Sequence, residues 1–364
     1  MSIWDKFSTF STPSKAGIIV VAVIIVAGII AVIVLAATGH FSSSSASIIS
    51  VTPLFPSVVP STVDPPMFVP CTTDKCFNVG NTCPFPIWIH SVNNPAPPET
   101  KVVLMPDLER LAPGEAKQYE VPDEWSAGRV NAYYKDPSVP ANATAFDKVE
   151  MTVLSNGSMN YDITYVDYLA LPSRITAGPD ATNCTPSDSE VTCNVSVEQV
   201  LQRCPQGADF NLLDPTDNRC LSAGLYCSDT NNVDKSFCKL LDSQIAKCVG
   251  DPETYPMCAD AKDNGNTTPD VYACQKYFST GPPPDSNVGN QWCAALNRNT
   301  LDDPKNPDAT FYEGTAINQY AKWVHETCPG IYAFPYDDFL SQGGDRSCTT
   351  NRLDILFCPG NANE

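Results

Sequence analysis

Sixteen cysteines, all beyond residue 70, constrain this chain more than any other feature. Their number is even, and the same region carries N-x-S/T acceptors at Asn142, Asn156, Asn183, Asn194 and Asn266. Together they predict an oxidised, glycosylated, extracytoplasmic domain stapled by disulfides. No CxxC pair is present and there are only three histidines, so a zinc cluster is not expected. No metal or cofactor is predicted. The formal net charge of −19 argues against nucleic acid, which needs a basic footprint.

The N-terminal part predicts a membrane partner. Residues 1–15 form a short polar stub, expected to be cytosolic. Ala16–Ala37 contains no charge and no proline. As a helix it spans about 33 Å, enough for a hydrocarbon core. Lys15 precedes the span, and no Lys or Arg follows until Lys75. Positive-inside reasoning makes residues 16–38 a type II signal anchor with the bulk of the chain outside. Cleavage near Gly39, giving a secreted protein, is the alternative. Residues 39–70, rich in serine and proline, read as a stalk.

From Cys71 the pattern is that of a β domain. Short runs of β-branched and aromatic residues recur at Pro84–Val92, Val102–Leu104, Lys117–Val121, Gly128–Tyr134, Val149–Leu154 and Tyr161–Val166. Strands at this spacing suggest an antiparallel sandwich. Helical spacing takes over at 197–203, 237–248, 271–278 and 316–327. Ile331–Phe334 and Leu353–Phe357 then return to strand character. The expected layout is a β-sandwich over 71–183 and 328–364, with a disulfide-rich helical domain inserted at 184–327. Asp162 and Asp167, five residues apart, are a geometric puzzle. A regular strand points them to opposite faces, so a shared site requires the strand to end or bend between them.

Several stretches resemble the thaumatin-like family. They are Asn81-Thr-Cys-Pro-Phe-Pro-Ile-Trp88, Gly128-Arg129, Tyr161–Asp167 with Leu171-Pro172, Gln199–Pro205, Cys328–Asp338 and Leu356-Phe-Cys-Pro359, in the family's order. The resemblance implies a flattened antiparallel β-sandwich with an acidic cleft against a disulfide-rich second domain. It carries the cleft residues onto Arg129, Glu150, Asp162, Asp167 and Asp337, with Asp338 the alternate for Asp337. It also implies the pairs Cys83–Cys358, Cys184–Cys348 and Cys193–Cys328. Each closes a long loop, worth roughly 4–5 kcal/mol in a chain-entropy account. A Cys71–Cys76 pair is a guess, and the other eight cysteines allow 105 pairings. The sequence departs from the family between Arg129 and Glu150, where two family disulfides are missing.

By this resemblance the chain is expected to bind β-1,3-glucan or a related wall polysaccharide. Slow endo-β-1,3-glucanase activity is the alternative, and a structural coat or wall role the third. Glycosidic cleavage needs one protonated and one ionised carboxylate across the bond, here Glu150 as acid and Asp167 as nucleophile or base. Arg129 would orient a carboxylate. Trp88, Trp125, Tyr133, Tyr134 and Tyr165 are candidates to stack on sugar rings, although Trp88 on a central strand reads as core.

Overall fold

The computed structural model describes residues 62–93, 108–142, 145–251, 253–254, 265–275, 286–302, 311–314, 317–338 and 344–362. The stub, the anchor at 16–38 and most of the expected stalk lie outside the described residues. Among the described residues, no helix is long and apolar enough to cross a membrane.

Fifteen strands are described. β1 (Cys76–Asn81), β4 (Ala116–Glu120), β9 (Ser173–Ala177), β11 (Glu190–Thr192) and β15 (Arg352–Phe357) form one sheet in the order β11-β9-β15-β1-β4. A seven-stranded sheet runs β10-β14-β7-β6-β5-β2-β3. Its members are β2 (Ile87–Asn93), β3 (Glu109–Leu111), β5 (Trp125–Tyr133), β6 (Phe146–Val153), β7 (Ser158–Thr164), β10 (Thr182–Thr185) and β14 (Arg346–Thr349). A small third sheet joins β8 (Tyr168–Leu169), β12 (Leu213–Asp214) and β13 (Arg219–Leu221) in the order β12-β13-β8.

Period-two patterning makes the large sheet two-faced. In β6, Asp147, Val149, Met151 and Val153 are buried, whereas Phe146, Lys148, Glu150 and Thr152 are partly exposed. β7 repeats this, with Met159, Tyr161 and Ile163 inward and Asn160 and Asp162 outward. The inward residues join Phe77, Val79, Ile175, Leu353 and Ile355 of the other sheet in one core. Phe77 and Trp125 bridge the sheets with ring centroids 5.6 Å apart.

All six β1 residues are buried, and β1 pairs in parallel with β15 and antiparallel with β4. Its polar members find internal partners, as burial requires. Asn78 donates to Asp354 Oδ1 at 2.7 Å, and the Asn81 amide donates to the carbonyls of Phe85 and Leu111. Its outer side is covered by residues assigned from the sequence to the stalk. Asn78 donates to the Val69 carbonyl, and Val63 N–H donates to that of Asn361. The folded unit therefore starts before Cys71.

The helices α1 (Val197–Arg203), α2 (Ala223–Ser228), α3 (Ser236–Gly250), α4 (Thr268–Tyr272), α5 (Ser286–Arg298) and α6 (Gln319–Thr327) lie between β11 and β14. A Ser196/Gln199 capping box starts α1, and Asn318 caps α6 by accepting from Ala321 N–H. Two sequence assignments shift. Thr182–Thr192 belongs to the sheets, so the helical region begins at Val197. Ile331–Phe334 is not a strand: Tyr332 makes a single bridge to Thr164, and the chain then turns so that Ala333 N–H reaches the Asp337 carboxylate.

Disulfides join Cys71–Cys76, Cys83–Cys358, Cys184–Cys348, Cys193–Cys328, Cys204–Cys220, Cys227–Cys238 and Cys274–Cys293. Cys248 is also disulfide-bonded.

Gly80 tests how residues 62–70 are held. A Cβ there would stand 2.7 Å from Pro66 and 2.9 Å from Phe68. We expect Gly80→Val to lift this segment and destabilise the domain by about 1–3 kcal/mol. Urea unfolding reads the loss, and limited proteolysis should locate new cleavage before Cys71.

Candidate active site

Cross-strand register assembles the charged residues. Arg129 on β5 is opposite Glu150 on β6, and Glu150 is opposite Asp162 on β7. β7 pairs Tyr161 with Arg346 on β14, so one further step places Asp345 opposite Asp162. Val92 on β2 continues the row beyond Arg129. All five line one cavity of about 490 Å³ on the outer face of the seven-stranded sheet. One cation and three carboxylates thus stand side by side because β5, β6 and β7 each contribute one outward residue and Asp345, just before β14, takes the next place.

Asp167 lies next door. β7 ends at Thr164, and Tyr165 N–H turns to the carbonyl of Tyr332. The regular strand is therefore over before Asp167. Its carboxylate enters an adjoining cavity of about 230 Å³, which Arg129 and Lys148 also line. Asp162 and Asp167 do not share one pocket; Arg129 lines both. Lys148 Nζ stands 3.8 Å from Asp167 Oδ2, and that carboxylate is largely exposed.

Burial sets the electrostatics. Loss of water pushes the Asp162 carboxyl up to about 7, and the nearby charges of Glu150 and Asp345 add to it, against the Thr164 hydroxyl donating at 2.7 Å. Asp345 is raised by burial and then by Asp338. Asp147, on the opposite face of β6, is also raised to about 7 by burial, although it accepts from the backbone N–H groups of Ala170 and Leu171. Arg129 Nε is buried with no hydrogen-bond partner among the described residues.

Asp337 is not a cleft residue. It is fully buried and accepts from Arg298 at 3.0 Å, His325 Nε2 at 2.7 Å and Ala333 N–H at 2.8 Å. The Tyr312 hydroxyl lies 2.7 Å from His325 Nδ1, at the far end of the chain of bonds. This network ties the 328–338 segment to α5 and α6. Asp338 is exposed, and the register position beside Asp162 belongs to Asp345. The sequence reading missed both Asp345 and Lys148. The register of β14 on β7 is the signal for the first, and the period-two step from Glu150 is the signal for the second.

The acceptor asparagines divide. Asn156, Asn183 and Asn194 are exposed. Asn142 and Asn266 are partly buried, and their amides donate to the carbonyls of Asp136 and Gln275. Of the aromatic candidates, Trp125, Tyr134 and Tyr165 are core residues. Trp88 and Tyr133 are partly exposed on the outer face.

A double-layered β fold carrying a row of carboxylates on one sheet face defines the class. Within it, residues 257–353 match the profile of glycoside hydrolase family 64, described as beta-1,3-glucanase. A search of curated proteins finds no match. Among solved structures, a family 64 beta-1,3-glucanase domain from Clostridium beijerinckii aligns with a TM-score of 0.57 at 15% identity. The alignment covers 80% of this chain and 100% of that one. A laminaripentaose-producing beta-1,3-glucanase in complex with laminaritetraose gives 0.55 at 16% identity, over 78% and 98% of the two chains. Its counterpart from Paenibacillus barengoltzii gives 0.51 at 16%, over 82% and 77%.

The fold is thus that of the family 64 structures, and the thaumatin-like assignment is corrected. A thaumatin-like xylanase inhibitor aligns with a TM-score of only 0.21 over 28% of this chain. Among the described residues, the lining of the larger cavity comes from β2, β5, β6 and β7 and from Asp345 beside β14.

Two outcomes follow. Asp337→Ala removes the buried acceptor shared by Arg298, His325 and Ala333 N–H and should destabilise the fold by about 3–5 kcal/mol, read by denaturant unfolding. Asp162 has a folded pKa of about 7, against about 3.9 in an unfolded chain. The unfolded group ionises first, so the contribution of Asp162 to stability is full below pH ~4 and is lost as pH rises through about 7. Asp162→Asn should therefore gain stability relative to the parent between pH 4.5 and 7.5. A difference that stays constant across that range would contradict the assignment.

Proposed function

We propose that this chain hydrolyses β-1,3-glucan in the cleft on the outer face of the seven-stranded sheet. The observation that carries the reading is the register row Arg129–Glu150–Asp162–Asp345, with Asp167 in the adjoining cavity, on a fold like that of β-1,3-glucanases. The partial match to the family 64 profile supports hydrolysis ahead of the binding-only role expected from sequence.

Glu150 serves as general acid and gives its proton to the glycosidic oxygen as the bond to the anomeric carbon breaks. Asp167 serves as general base and takes a proton from the water that attacks that carbon. Lys148 Nζ, 3.8 Å from Asp167 Oδ2, sets a positive charge beside that carboxylate. Asp162 stays protonated below about pH 7 and adds little negative charge beside Glu150 in that range. Arg129, lining both cavities, orients the sugar or a carboxylate between them. Because the two carboxylates line adjoining cavities, we expect a water to fit between them and the anomeric configuration to invert.

The disulfide-bonded cysteines, with none free among the described residues, support an extracytoplasmic location. Anchoring through residues 16–38 remains part of this proposal.

Laminarin incubated with the purified chain tests it. Reducing ends should appear, and Glu150→Gln or Asp167→Asn should each slow their release by about a hundredfold or more while retaining binding. Capture of laminarin with no sugar release from the parent protein would sink the hydrolytic reading.

A further inference from the structure

The outer face of the seven-stranded sheet continues past the cleft. Two same-face steps from Arg129 and Glu150, the register places Trp88, Tyr133 and Phe146 in a single row across β2, β5 and β6. All three are partly exposed. The Tyr133 and Phe146 rings lie 4.9 Å apart, and the Arg110 guanidinium stands 6.0 Å over Trp88 at the end of the row. Four residues of extended chain separate this row from the carboxylates, roughly 14 Å.

The two features are connected. The smaller cavity is lined by Phe146 of this row as well as by Lys148, Asp167 and Arg129, so the aromatic row and the charged residues share it. Between the rows sits Asn131, only 3% exposed, whose Oδ1 has no hydrogen-bond partner. The neighbouring Arg129 Nε is a buried donor in the same condition. A partly exposed aromatic row beside an acidic cleft matches the chemistry of a sugar chain. A pyranose offers an apolar C–H face to an aromatic ring and hydroxyls to polar groups at its edge.

We propose that Trp88, Tyr133 and Phe146 form an extended subsite that holds a β-1,3-glucan chain on one side of the bond to be cleaved. This rests on the glucan reading above and deepens it, because the row selects long chains over short ones. Ligands that fill only the carboxylate cleft do not reach it. Trp88 is thereby a surface binding residue and not a core one.

Affinity as a function of chain length tests this. The full-length chain carrying Glu150→Gln, which leaves the ligand intact, is titrated with laminarin and with laminaritriose. Adding Tyr133→Ala or Trp88→Ala should weaken laminarin binding by about tenfold and leave laminaritriose unchanged. Trp88→Phe keeps a ring in place and should retain most of the laminarin affinity; its melting curve checks that the sheet is intact. Unchanged laminarin affinity in the alanine variants overturns the subsite, as does an equal loss for both ligands. If the Glu150→Gln parent binds neither ligand, the glucan reading fails and takes the subsite with it.

Discussion

The parallel pairing of β1 with β15 is the constraint on which everything else rests. It joins residues 76–81 to 352–357, and Cys83–Cys358 staples the same junction across a separation of 275 residues. Parallel neighbours need a long connection, and here the rest of the domain is that connection. The strand has no solvent face, so it must satisfy Asn78 and Asn81 internally, and it does so through Asp354, Phe85 and Leu111. Residues 62–70 close the remaining side over Gly80. A sheet pinned in this way gives the second sheet a fixed surface to pack on, and leaves that sheet's other face free for chemistry.

That free face works because sheet register is discrete. A slip of one residue in β6 would turn Glu150 and Lys148 inward and expose Val149 and Met151, at a cost in buried apolar surface. Burial of the inner residues therefore holds the charged row in line. The Cys184–Cys348 bond adds a second restraint where β10 meets β14, three residues from Asp345. The acidic row is thus a by-product of core packing, and its members need no direct bonds to one another to stay aligned.

Much of the β architecture was legible because period-two patterning is local: β6 and β7 can be read directly from alternation. Glu150, Asp162 and Arg129 came from the family resemblance, and each stands as an outward residue on a regular strand. Asp345 was not legible, because its strand is short and its place depends on pairing with a partner some 180 residues earlier in the chain. Asp337 misled in the opposite way. The family resemblance carried it into the cleft, whereas packing with Arg298 and His325 makes it a buried anchor. The β-like run at 331–334 fails for the same reason, since tertiary demand on Ala333 N–H overrides local propensity.

The separation of roles between the two carboxylates near 7 clarifies the site. Asp147 and Asp162 are both raised to about 7 by burial, yet they lie on opposite faces of the same sheet. Asp147 faces the core and spends its lone pairs on Ala170 and Leu171, fixing the segment that follows Asp167. Asp162 faces the cleft, with one oxygen on Thr164 and the charges of Glu150 and Asp345 beside it. Lys148, adjacent in sequence to Asp147, lowers the pKa of both and ion-pairs with Asp167. One ammonium on the outward face therefore acts on three carboxylates, one of them across the sheet. Two consecutive residues, Asp147 and Lys148, thus tie the loop end that carries Asp167 to the strand that carries Glu150.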